Sequence, residues 1–333
     1  MILIEPTTIS LDEDVVLIFE NEPSIMSQFE IDWPISIFNT VHHIQNQLFE
    51  QVFTFVLVGR DSHQAKAFFH LLIDNQWALS PQRGVYGSFE IAENVSEEAL
   101  NTLVKTILDF GQERGWEGIT IKHFPTCYDL ERSLRIENAL FNNGFKVKNS
   151  FENHYLSISN EPFETQLHLS EKRRLRKCSK AGFVFEEIQN PDLRCVYQFI
   201  SESRLKLGYS LSFGLNELIQ WFESFPENYK VFCVKDQETI ASLTIAVKVI
   251  EGVLYNFCPT NHLNYRTFSP SVLLTKGLYE YCQQNDFKIL DLGISVNSEG
   301  DLKPSLAKFK LNLGAQKCEK KVFVYIPKQL LFL

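Results

Sequence analysis

The last fifth of the chain constrains the fold most. An amphipathic helix candidate, Ser271–Gln284, runs into a strand candidate, Phe287–Leu292, and then into a loop containing Gly293. A second helix candidate carrying Phe309 and Lys310 follows, then Gly314 and a final strand, Lys320–Ile326. Helices alternating with short β-branched and aromatic runs predict an α/β fold. A weaker version of the pattern occurs about 170 residues earlier, where Ala139–Phe145 (ALFNNGF) matches Lys308–Ala315 (KFKLNLGA). The match sets Gly144 against Gly314 and puts Leu140 or Phe141 in the place of Lys310. The chain therefore reads as a duplicated α/β unit.

The first half contributes a strand over Gln51–Val58 and another over Val85–Ile91. A helix begins at Ser96, a good N-cap, with Glu97 and Glu98 in its first turn. Leu100, Leu103, Val104, Ile107, Leu108 and Phe110 follow helical spacing, and Gly111 and Gly115 mark the stop. Gly118–Ile121 is the next strand. Gly144 closes a helix, and Phe145–Val147 and His154–Ile158 finish the half as strands or a hairpin. In the second half Tyr229–Val234 and Thr239–Val247 form a hairpin around residues 236–238, Gly252–Phe257 is a third strand, and a polar loop, Pro259–Ser269, leads into the Ser271 helix with Pro270 near its first turn.

Composition narrows the class. Twenty-eight Phe supply ample apolar area for ordered cores, and 333 residues are enough for two of them. A net charge of −9 argues against binding nucleic acid through bulk electrostatics. No run approaches the length of a membrane span, and the N-terminus lacks the basic start of a secretory signal. The seven Cys include no C-x-x-C pair, so free thiols in a reducing, cytoplasmic setting are expected. No metal-ligand spacing occurs; His42-His43 comes nearest, and no metal is expected.

One segment departs from the acidic background. Residues 171–180 hold six Lys/Arg and one Glu, a local charge of about +5. With Leu169, Leu175 and Cys178 turned to a neighbour, the bases would face an anionic substrate or simply solvent.

This segment (EKRRLRKCSKAGFVFEEI, 171–188) resembles the opening of the second domain of FemAB-like transferases. Phe268–Leu274, Leu290–Gly293 (LDLG) and Leu306–Ala315 (LAKFKLNLGA) resemble the helix, strand and terminal Phe-Lys…Gly signatures of the same group. The resemblance covers most of 165–330; over 1–160 it rests on the duplicated layout. It implies two tandem GNAT-like domains, each a mixed central sheet flanked by helices. Residues 1–165 would be non-catalytic and shape the acceptor site, and 166–333 would bind the donor and catalyse. The implied reaction is N-acyl transfer to a small-molecule or peptide amine in a bacterial cytoplasm, with no membrane insertion. The donor would be acetyl-CoA or another acyl-CoA. An aminoacyl-tRNA, as in Fem-type enzymes acting on a cell-wall precursor, is the alternative, although no helical arm beyond Leu193–Phe225 is available for it. A catalytically silent GNAT-fold scaffold is a third reading.

The resemblance directs attention to particular residues. Amine acylation needs a positioned carbonyl, a neutral amine, a donor for the oxyanion and a proton for the leaving group. Lys310 would contact the reacting carbonyl. Asp291, at the end of a central strand, would take the amine's proton, and Tyr265 (or Tyr255) would protonate the leaving thiolate. In a GNAT-like fold the pantetheine arm lies between two parallel strands, here Gly252–Phe257 and Lys288–Leu292. That assigns Asn256 and Phe257 to the donor, and places Arg266, Ser269, Ser271 and Val272 at its diphosphate, at the helix N-terminus. The loop is poorer in Gly and bases than the usual GNAT phosphate loop. Lys206, Tyr209 and Arg174 are assigned to the acceptor. A Cys258/His262 nucleophile pair lacks an orienting third group. In the first half His123 and residues 124–126 follow the corresponding strand, but no Lys matches Lys310.

Overall fold

The computed structural model describes residues 6–10, 13–47, 49–60, 62–208, 211–297 and 300–327. They form two units, one of residues 1–151 with 319–333 and the other of residues 152–318.

In the first unit, strands β1 (Thr7–Ser10), β2 (Asp14–Glu20), β3 (Gln51–Gly59), β4 (Ala65–Asp74) and β5 (Trp77–Ser80) form an antiparallel meander, with short helix α1 (Val41–Gln45) between β2 and β3. Strand β6 is only Glu90–Ile91, paired with β4. The strand expected over Val85–Ile91 is thus mostly loop: Ser88 has a positive φ of 88°, outside the extended region of a regular strand. Helix α2 (Glu97–Glu113) starts where expected, the Ser96 hydroxyl accepting from Ala99 N, and buries Leu100, Leu103, Val104, Ile107 and Phe110. It crosses over to β7 (Gly118–Lys122), which lies parallel to β5. Phe53, Phe55, Phe110 and Trp116 stack edge to face beneath this sheet. Helix α3 (Leu130–Asn142) follows, and then β8 (Lys146–Ser157), one long strand where two short ones were expected.

The second unit repeats the plan. Helix α4 (Leu169–Lys180) precedes β9 (Val184–Ile188), and α5 (Leu193–Leu205) and α6 (Leu215–Ser224) precede the hairpin of β10 (Tyr229–Asp236) and β11 (Thr239–Ile250). Strand β12 (Val253–Asn256) pairs antiparallel with β11, and β13 (Thr260–Asn261) is a short spur on β11. Helix α7 (Ser271–Gln284) then crosses over to β14 (Ile289–Ile294), parallel to β12 in the register Val253–Ile289, Leu254–Leu290, Tyr255–Asp291. Helix α8 (Pro304–Asn312) and β15 (Gln316–Tyr325) complete the chain.

The repeat holds at atomic detail. Phe145 N bonds to Leu140 O and Gly144 N to Phe141 O; Ala315 N bonds to Lys310 O and Gly314 N to Leu311 O. Gly144 and Gly314 have φ of 87° and 89°, the left-handed conformation that ends a helix this way. Leu140 and Lys310 therefore hold equivalent positions, and Leu140 is fully buried.

The last strands are exchanged. Residues 153–157 of β8 follow α3 in sequence but pair antiparallel with β14 of the second unit, while Val322–Tyr325 of β15 pair antiparallel with β7 of the first. From the sequence pattern each strand is expected to stay with its own half, with the division at 165/166. Local pattern identifies both as strands, but two equivalent slots exist and only tertiary pairing chooses between them. The second core gathers Leu156, Leu175, Cys178, Phe232, Leu254, Val272, Leu278, Tyr279 and Leu290 between sheet and helices.

Helix α7 approaches β9 through Gly277, where an added Cβ would lie 2.2 Å from Phe185 Cγ. Gly277→Ala is expected to destabilise the protein by about 1–3 kcal/mol through overpacking, against the usual gain for Gly→Ala in a helix; urea denaturation checks this, and an unchanged or raised midpoint would contradict the packing.

Candidate active site

Pairing of β12 with β14 ends at Tyr255–Asp291, and β14 continues to Ile294. Its register with β8 shifts between Asp291 and Gly293, a bulge that places Gly293 opposite His154 and Ile294 opposite Asn153. Asp291 thus sits at a bulge within the strand rather than at its end. Gly293 has a φ of 74°, and a Cβ there would lie 3.3 Å from the Tyr255 ring and hydroxyl. The Gly of LDLG is required by both backbone and neighbour.

Into this bulge α8 delivers Lys310. Its Nζ donates to Gly293 O and Ile294 O, each at 2.8 Å. The residue is 7% exposed, and burial lowers its pKa to about 8 while the nearby Asp291 carboxylate raises it. An ammonium has three donors, and the third has no hydrogen-bond partner among the described residues. Asp291, 2% exposed, accepts through Oδ1 from Gly293 N at 2.7 Å and Asn153 Nδ2 at 2.8 Å. Tyr255 faces Asp291 across the parallel pair, and burial, then the Asp291 charge, push its phenol well above the usual range. It stays protonated, as a proton donor must.

Strand β8 supplies two further buried groups, Asn153 and His154. His154 Nδ1 lies 3.4 Å from the buried Ser295 Oγ, and Nε2 lies 3.2 Å from Glu152 Oε1 without hydrogen-bond geometry. Burial first, then the Lys310 charge, lowers its pKa, so it stays neutral. Asn153, His154 and Ser295 were not singled out in the sequence. Their partners lie up to 165 residues away, and no local spacing marks them.

The remaining expected residues are scattered. Tyr265 is not in the cluster: its hydroxyl bonds to Asp236 Oδ2 at 3.0 Å and its ring packs on Phe183, His262 and Phe268. Asn256 is buried with Oδ1 accepting from Thr244 Oγ1, while Phe257 joins the rings of Phe213, Trp221 and Tyr255. At the start of α7, Val272 is fully buried in the core and its N–H is used by Ser269 O; Leu274 N is used by Pro270 O. Ser271 exchanges hydrogen bonds with Asn261, Ser269 Oγ turns to Arg266 O, and Arg266 is exposed. Arg174 is tied to the buried Glu171 at 2.8 and 3.0 Å, and Lys206 is exposed at the end of α5. Tyr209 lies outside the described residues. Cys258 is buried, which pushes its thiol pKa up and away from a nucleophile's range. In the first unit His123 is fully buried between the Ser88 and Ser133 hydroxyls, with its pKa lowered to about 3 by burial. Among the described residues no group of three His, Cys, Asp or Glu could hold a metal ion, and no helix is long and apolar enough to cross a membrane.

Solved structures share this architecture. A structure described as FemX superposes with a TM-score of 0.67 at 13% identity, covering 93% of this chain and 96% of that one. The fold is FemAB-like. The C-terminal DUF2156 domain of a candidate lysylphosphatidylglycerol synthetase from Agrobacterium fabrum superposes at 0.55, with 14% identity over 79% of this chain and 82% of that one. A GCN5-related glucosamine N-acetyltransferase region of a fungal multi-domain GH3 β-N-acetylglucosaminidase superposes at 0.50, with 11% identity over 95% of this chain and 38% of that one. The FemAB-like fold thus extends to the GNAT type, and each unit's parallel pair with its crossover helix is the element it is built on. No family model and no curated protein matches the sequence.

The lowered pKa of Lys310 has a signed consequence. Between about pH 8 and 10.5 the unfolded chain holds this proton and the folded chain does not, so stability rises with pH across that window. Compared with Lys310→Met, the wild type should gain on the order of 3 kcal/mol from pH 8 to 10.5; urea denaturation of both proteins at several pH values measures it, and a constant difference would mean an unperturbed lysine.

Proposed function

We propose that the second unit is an N-acyltransferase whose reaction centre is the Lys310–Asp291–Tyr255 cluster at the end of the β12/β14 pair. The observation that carries this reading is the buried Lys310, held on two carbonyls with one donor uncommitted. A cation so placed stabilises the oxygen of an acyl group as a tetrahedral intermediate forms. Asp291 takes the proton of the attacking amine. The C–N bond forms, the bond to the leaving sulfur or oxygen breaks, Tyr255 protonates that atom, and solvent restores both groups. The first unit, with Leu140 in the equivalent place, is proposed to be non-catalytic.

An acyl-CoA is the first donor proposed. The parallel pair with crossover helix α7 supports it, because pairing of β12 with β14 stops at Tyr255–Asp291 while β14 runs on to Ile294. The α7 N-terminus supports it less: the Val272 and Leu274 N–H groups are already used, leaving Arg266 as the exposed phosphate contact. A second reading, an aminoacyl-tRNA donor, has a specific observation behind it. Lys177 of the basic helix α4 bonds to Thr267 O at 2.8 Å and sits 4.5 Å from the Phe268 ring, bringing a strongly cationic helix to the same loop. The acceptor proposed is a small-molecule or peptide amine.

Transfer assays with labelled acetyl-CoA, longer acyl-CoAs and aminoacyl-tRNA against a panel of amines and amino-terminal peptides test this. Lys310→Met should lower the rate with the productive donor by about 10²–10³-fold, the loss typical of one oxyanion donor, while leaving the folded spectrum intact. Arg266→Ala should weaken acyl-CoA binding and leave aminoacyl-tRNA use unchanged. Full activity in Lys310→Met would remove Lys310 from the chemistry, and no transfer from any donor would overturn the transferase reading.

A further inference from the structure

Helix α4 presents a second basic face that the proposed reaction does not use. Lys172, Arg176 and Lys180 recur every four residues, so they form a row along one side of the helix with a rise of about 6 Å between neighbours. With Leu175, Ser179 and Glu164 they line a groove of about 460 Å³. This is the size range of small-molecule sites. None of the three cations takes part in an ion pair among the described residues. The one carboxylate in the lining, Glu164, is held by Lys276 at 2.7 Å, and Lys276 also meets Glu280 at 3.4 Å. The other neighbouring acid, Glu171, is buried under Arg174. In a chain of net charge −9, three adjacent cations whose nearest carboxylate, Glu164, acts on Lys172 but is already held by Lys276 form a net positive site.

We propose that this groove binds a phosphoryl-bearing ligand, with Arg176 as the bidentate centre and Lys172 and Lys180 closing on the flanking oxygens. A guanidinium matches two phosphoryl oxygens, and flexible ammonium groups one turn away on either side reach the remainder. The row spans about 12 Å over its two turns, which suits a mono- or diphosphate group better than an extended polyanion. Leu175 at the floor is apolar and 6% exposed, so it closes the bottom of the groove. The site uses none of the residues assigned to the acyl-transfer chemistry itself, and binding to it is measured apart from that reaction.

Calorimetric titration of the full chain with inorganic pyrophosphate at low salt is the direct test, with an anionic-lipid arm. Arg176→Gln with Lys180→Gln should weaken pyrophosphate at least about tenfold, the expected loss of two charge-assisted contacts. The control Arg194→Gln with Lys248→Gln removes the same charge from exposed positions on α5 and β11 and should change affinity less than about twofold. Matching thermal melts establish that both double variants fold. In the second arm, co-sedimentation compares vesicles of phosphatidylcholine alone with vesicles containing one-third phosphatidylglycerol. Saturable pyrophosphate binding without vesicle binding supports a free phosphorylated small molecule, and selective binding to the anionic vesicles, lost in Arg176→Gln/Lys180→Gln, supports a lipid headgroup. Equal weakening by the control pair, binding to neither probe, or binding confined to a long RNA would overturn the proposal.

Discussion

The burial of the Lys310 ammonium holds the candidate site together. An ammonium taken out of water needs acceptors, and within a sheet the carbonyls are normally consumed by neighbouring strands. Here two carbonyls are released because β12 stops pairing at Tyr255 while β14 continues, and because β14 bulges against β8 at the same point. Gly293 makes the bulge possible, Tyr255 packs on the face that Gly293 leaves bare, and Asp291 is fixed by the Gly293 N–H. The cation, the bulge, the carboxylate and the phenol are therefore one arrangement. Altering any member removes what another depends on.

The first unit is the natural comparison. Its α3 ends in the same left-handed Gly turn as α8, and Leu140 occupies the position of Lys310 with its side chain in the core. The duplicated scaffold tolerates a cation or an apolar side chain there, because either is accommodated by a helix packed against the last parallel strand. The two places differ in that the second unit sets a lysine near a carboxylate, Asp291. In the first unit the buried His123 lies between two serine hydroxyls instead.

Strand exchange explains how the sequence could describe the elements and misplace their partners. Residues 153–157 serve the second unit although they follow the first unit's helix, and they bring Asn153 and His154 to the bulge. A strand's pattern of alternating burial records that it lies in a sheet and which face is wet. It does not record which of two equivalent edges it joins.

The sequence by itself determined the α/β class, the duplication, the Ser96 start of α2, the order of crossover helices and the two residues at the centre of the candidate site, Lys310 and Asp291. The first four rest on short-range chemistry, helical spacing and capping above all; Lys310 and Asp291 stand out through the resemblance of their segments to FemAB-like transferases. Tertiary structure alone decided that Tyr255 rather than Tyr265 stands opposite Asp291, since the two differ by ten positions in a strand-and-loop segment and only the β12/β14 register separates them. It also decided that Val272 enters the core, that Asn153 and His154 belong to the second unit, and that Lys172, Arg176 and Lys180 share a groove. Each is a contact between residues distant in the chain or a choice among equivalent neighbours, and no pattern confined to one segment encodes it.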